Sequence, residues 1–257
     1  MKRFLSLLLI LCLSPFAALA GSYASDISDV LYNLRMNNYS CDSAPQQQAN
    51  GAYRTVEMLQ IIALEYGVSS SDVSDVMYDM RMNNYSCDSA PQQVANGLYR
   101  TVDMLALVAQ AVGVSSSDVS DVLYDLRMNN YSCDSAPQQS ANGAYRAVDM
   151  LALIAVEVGA SSSDVSDVLY DLRMNNYSCD SAPQQVANGT YRMVDMLALI
   201  ARAVGVASSD VSDVLYDLRM NNYSCDSASQ QSANGLYRTV DMLALIASKL
   251  DARGISI

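Results

Sequence analysis

Asn129-Asn130-Tyr131-Ser132-Cys133-Asp134-Ser135-Ala136-Pro137-Gln138-Gln139 is the stretch on which the reading of this chain turns. With one late exception, Ser229 in place of proline, it recurs at a fixed spacing. Its cysteine is Cys41, Cys87, Cys133, Cys179 and Cys225, each 46 residues after the last. Internal periods of roughly 20 to 50 residues mark proteins built from stacked structural repeats. The units are 23–68, 69–114, 115–160, 161–206 and 207–252, followed by a short tail.

In the middle unit, Ser117 is the expected N-cap of a first helix. A serine holds that place in all five units, whereas two positions earlier Tyr23 and Ala207 replace it. A serine hydroxyl there accepts one of the free backbone N–H groups. Val119, Val122, Leu123 and Leu126 then follow the i, i+3, i+4, i+7 spacing of one buried stripe. Asn129-Asn130 should close this helix, since asparagine tolerates the left-handed conformation. Ser135 and Gln138 form a capping box for a second helix, and Pro137 is harmless in its first turn. That helix is apolar over much of its circumference (Ala141, Tyr145, Val148, Leu151, Ala152, Ile154, Ala155), as a helix packed between neighbours must be. Gly143 suits close approach of another helix, and Gly159 with Ala160 reads as a glycine C-cap.

Each unit is thus a hairpin of a helix of about 13 residues and one of about 23. One hairpin cannot bury both faces of its long helix, but a stack can. The expected fold is all-α: five tandem helical hairpins stacked as an α-solenoid, on the order of 50 Å long at roughly 10 Å per unit. A closed bundle or ring of hairpins is the alternative. The unit length resembles HEAT and armadillo arrays in architecture only, without the signatures of tetratricopeptide, ankyrin or leucine-rich repeats.

Residues 1–20 are set apart from the fold. Lys2 and Arg3, the apolar run Phe4 to Leu13 and Ala18-Leu19-Ala20 have the form of a cleaved secretory signal peptide. Its removal would take the net charge from −12 to −14 and leave Lys249 as the one lysine. So acidic a chain repels nucleic acid. No later run is apolar enough to span a membrane. The expected location is periplasmic or extracellular. Equivalent cysteines in stacked helices lie too far apart to pair, so Cys41, Cys87, Cys133, Cys179 and Cys225 are read as structural free thiols.

The chain has no histidine. This removes the usual general base and the Ser-His and Cys-His nucleophile pairs. A site repeated five times also does not resemble a singular catalytic cleft, so no catalysis, cofactor or metal is expected. Three features remain as candidate sites. The first is a row where the units differ: Gln48, Val94, Ser140, Val186 and Ser232; Ala52, Leu98, Ala144, Thr190 and Leu236; Thr55, Thr101, Ala147, Met193 and Thr239. These positions are i, i+4 and i+7 on the long helix, so they form one ridge. A constant frame with one varied row suggests a ridge that reads a partner. The second is an acidic face: Asp72, Asp75 and Asp79; Asp118, Asp121 and Asp125; Asp164, Asp167 and Asp171; Asp210, Asp213 and Asp217; with Asp26 and Asp29 in the first unit. In register these would form one surface able to attract a basic partner. The third is the Tyr131-Ser132-Cys133 stretch, with a sequon at Asn130. The leading expectation is an exported, non-catalytic scaffold for a protein or peptide. The alternatives are a head-to-tail self-assembling envelope component and a thiol or divalent-cation buffer.

Overall fold

A computed structural model of the chain describes residues 23–36, 43–82, 89–128, 135–174, 181–220 and 227–252. The signal segment, the five cysteines, the repeated sequon and the expected asparagine stops all lie outside the described residues. Ten helices and no strand occur among the described residues. Five short helices, α1 (Ala24–Met36), α3 (Ser70–Met82), α5 (Ser116–Met128), α7 (Ser162–Met174) and α9 (Ser208–Met220), alternate with five long ones. The long helices are α2 (Ala44–Glu65), α4 (Ala90–Val112), α6 (Ala136–Glu157), α8 (Ala182–Ala203) and α10 (Ala228–Asp251).

The caps form where the residues allow them. In α6 the Ser135 N–H donates to Gln138 Oε1 at 2.9 Å, and every long helix repeats this box. Gly67, Gly113, Gly159 and Gly205 take positive φ just beyond the long helices. The next residue then donates back five positions, as Val114 N–H does to the Ala109 carbonyl at 2.9 Å. This is the Schellman closure. The N-cap of the short helices differs from expectation. Ser115, not Ser117, caps α5, because its Oγ accepts the Asp118 N–H at 3.2 Å. Ser69 does the same for Asp72 in α3. At Tyr23 and Ala207, which lack this hydroxyl, the backbone carbonyl alone meets the first turn, accepting from Ile27 and Val211.

The hairpins stack in chain order, and the stack then closes on itself. Long helices pack as α2 on α4, α4 on α6, α6 on α8 and α8 on α10, and α10 packs as extensively on α2. The molecule is therefore a ring rather than an array about 50 Å long with two free ends. Equivalent residues of all five long helices meet at the same level, so these helices run parallel and in register around one axis. Each short helix lies outside, in the groove between its own long helix and the preceding one; α1 completes the circle between α2 and α10. Closure follows from the apolar belt of the long helix. An open stack would leave one such face in water at each end, and burying both against each other removes that cost.

Close approach at one glycine per unit sets the interhelical distance. A Cβ on Gly97 would lie 2.8 Å from Ala52 Cβ, and one on Gly189 would lie 2.7 Å from Ala144 Cβ. At the seam, a Cβ on Gly51 would lie 2.8 Å from Leu236 Cβ. An asparagine beside each glycine ties the hairpin together. Asn142 Nδ2 donates to the Leu126 carbonyl at 3.0 Å, satisfying an orphan acceptor at the end of α5, and the other four units repeat the bond. Overpacking of this kind costs about 1–3 kcal/mol. Gly97→Val should lose that much stability in urea denaturation. Gly51→Val should lose a similar amount if the ring is closed; in an open array, where α2 has no preceding neighbour, it would lose little.

Candidate functional site: the axis and the outer face

The variable ridge is not a surface. None of its residues is more than 7 % exposed, and Ala52, Leu98, Ala144, Thr190 and Leu236 are at 0 %. Gln48, Val94, Ser140 and Val186 line the axis near the amino-terminal ends of the long helices. Nearer the other end the axis is lined by Leu59, Leu105, Leu151, Leu197 and Leu243, and then by Ile62, Val108, Ile154, Ile200 and Ile246. Positions 48, 52, 55, 59 and 62 alternate steps of four and three, the a/d spacing of a coiled-coil seam. The ridge is thus the upper half of the core. Its variation fills the axis. Around the ring the second layer reads Leu236, Ala52, Leu98, Ala144, Thr190: leucine alternates with alanine over four helices, so that they interdigitate, and Thr190, of intermediate size, closes the odd-numbered ring.

The surface row that does vary is Leu64, Gln110, Val156, Arg202 and Ser248. These are exposed except for half-buried Leu64. Gln110 stands at one end of a groove of about 450 Å³ between α3 and α5, floored by α4, with Tyr99, Arg100 and Asp103 along it.

The aspartates lie on the outside, all of them exposed. Because the short helices are spread around a ring, they form a belt of stripes rather than one continuous face. In four stripes the third carboxylate is tied inward. Arg100 Nη1 bridges Asp79 and Asp103 at 3.0 Å each, and Arg146, Arg192 and Arg238 make the same pair of bonds. In the first unit Asn33 replaces that aspartate, and Arg54 pairs with Glu57. Burial pushes the carboxyls of Asp103, Asp149, Asp195 and Asp241 above their ordinary range, with a smaller upward push from the nearby Asp79, Asp125, Asp171 or Asp217. Two arginines oppose this in each case, one from the same helix and one from the next unit's short helix. For Asp241 the second is Arg35, from the first unit across the seam. At the seam the Tyr23 N–H also donates to Asp251 Oδ1 at 3.2 Å.

Between the stripes the outer helices present Tyr32, Tyr78, Tyr124, Tyr170 and Tyr216, each 60–62 % exposed. One turn on from each is an exposed methionine: Met36, Met82, Met128, Met174 or Met220. Tyrosine and methionine at i and i+4 share a helix face. The sequence reading missed this pair; its signal was an apolar couple lying off the buried stripe in every unit.

Among the described residues no group of three His, Cys, Asp or Glu side chains is placed to hold a metal ion, and no helix is long and apolar enough to cross a membrane. No family model matches the chain, and neither the characterised proteins nor the solved structures compared with it give a match.

The raised carboxyls have a pH consequence. A carboxyl whose pKa is higher in the folded state holds its proton more tightly there. The stability it contributes is therefore present below the unfolded value, about 3.9, and is lost as pH rises through the folded one. Denaturation midpoints across mildly acidic pH should thus show Asp149→Asn with a shallower fall in stability on raising the pH than the parent chain. An identical slope would contradict the shift.

Proposed function

We propose that the chain is an exported, non-catalytic repeat protein that binds a protein or peptide through the outside of its ring. The observation that carries this reading is the fivefold Tyr–Met pair. Repeated large apolar side chains held in water mark an interaction surface. The flanking aspartates select a positively charged partner segment. They steer it by long-range attraction, and the tyrosine faces take Lys or Arg by cation–π contact. The varied row Leu64, Gln110, Val156, Arg202 and Ser248 then distinguishes one groove from the next. Export rests on residues 1–20, whose composition is that of a signal peptide. Head-to-tail assembly has less to support it, because the two end units already cover each other's apolar faces.

A fluorescently labelled peptide of alternating Lys and Leu, compared with one of alternating Glu and Leu, tests the reading by anisotropy. The basic peptide should bind, and more weakly as salt rises. Replacing Tyr32, Tyr78, Tyr124, Tyr170 and Tyr216 together with Ser should weaken that binding at least tenfold, roughly 1.4 kcal/mol, and leave the melting midpoint almost unchanged. Equal binding of both peptides, or a variant that binds as the parent does, would contradict it.

A further inference from the structure

The groove between α3 and α5 has a volume of about 450 Å³. Sites that take small molecules commonly measure roughly 300–1,000 Å³. Its floor on α4 is apolar at Ala106 and Leu107, and Val76 and Leu123 carry that surface onto the two walls. Most of its charges are paired with one another, since Arg100 Nη1 bridges Asp79 and Asp103 at 3.0 Å each. Two charges of opposite sign are left over. Asp75 on the α3 wall and Arg127 on the α5 wall are both exposed and both line the groove. Among the described residues neither side chain makes a hydrogen bond or an ion pair.

Their placement says what would fit between them. Among the described residues α3 and α5 do not touch each other, so they stand further apart than the roughly 8–10 Å of packed helices. Asp75 belongs to the second unit and Arg127 to the third, so the two are brought to one groove only by stacking. A ligand with an ammonium at one end and a carboxylate at the other would pair both. Arginine takes a carboxylate through two parallel N–H donors, and an aspartate accepts the N–H bonds of an ammonium. Three extended residues reach about 10–11 Å, enough to cross such a gap, whereas a free amino acid falls short. We propose that the groove between α3 and α5 binds a short zwitterionic peptide, of about three residues, with its ammonium on Asp75, its carboxylate on Arg127 and its apolar side chains on the α4 floor. This site is separate from the Tyr–Met pairs, none of which lines the groove.

The tripeptide Leu-Ala-Leu with free ends is the probe, and the full chain is the sample. Isothermal titration compares it with its N-acetylated form, its C-terminal amide and free leucine. The free tripeptide should bind, and blocking either end should weaken it by about tenfold or more, as loss of a hydrogen-bonded charge does. Asp75→Asn and Arg127→Gln should each weaken the free tripeptide to a similar degree. Both should keep the parent's melting midpoint, because both side chains are exposed and unpaired. The variant lacking the five exposed tyrosines should bind the tripeptide as the parent does, so this proposal and the Tyr–Met reading fail separately. No binding to the parent chain overturns the proposal. An amide that binds as well as the free tripeptide would mean that the groove takes any basic segment, and leucine binding as tightly would mean that the span is wrong. Undiminished binding by Arg127→Gln would place the peptide elsewhere. Each of these results also overturns it.

Discussion

Everything in this molecule depends on five long helices approaching one another closely enough to enclose an axis without leaving it hollow. Each joint is set by the glycine of one helix seated on the small or branched residue of the helix before it, as Gly143 is on Leu98 and Gly235 on Thr190. Glycine is unfavourable in a helix by about 1 kcal/mol relative to alanine. The close approach offsets this by bringing the flanking Val, Met and Leu side chains into dense contact, where dispersion and burial act together. The joint between α10 and α2 has the same construction as the others, although no linker enforces it.

Closure decides what is left over for function. A ring without free ends has no terminal apolar face to offer a partner, which leaves the outer helices, the grooves between them and the two mouths of the axis as its surface. The outer helices are thinly buried: α5 contributes only Val119 and Leu126 to the fully buried core. Polar bonds secure them instead: an asparagine caps each short helix, and in four of the five units an arginine reaches back to its last aspartate. Arg35 beside Asp241 carries this charge pattern across the seam, so the electrostatic circuit closes where the packing does.

Much of the fold was legible in the sequence. The 46-residue period, the Ser135–Gln138 box, the glycine stops and the lengths of both helices are local signals, and each fixes its element without help from the rest of the chain. Closure was not legible, because it depends on the angle accumulated over five joints, which no single unit encodes. The ridge was misread for a reason that can be stated physically. Its positions run on, at the same spacing, into Leu59 and Ile62 and their equivalents, and no charged residue occurs in it. A row that samples Gln, Val, Ser, Ala, Leu, Thr and Met but never Asp, Glu, Lys or Arg varies inside a core. The row holding Arg202 is the one that varies in water. The capping serine was misassigned because recurrence in all five units was weighed above position. Two short helices simply do without the hydroxyl.

Spin labels placed at Asp29 and Asp213, equivalent exposed positions of the first and last units, test closure most directly. Their separation is compared with that between labels at Asp121 and Asp167, which lie on adjacent units. In a closed ring the two distance distributions coincide, because the first and last units are themselves neighbours. In an open array at roughly 10 Å per unit, the Asp29–Asp213 pair would lie about four steps apart, and a distance near 40 Å would contradict the ring.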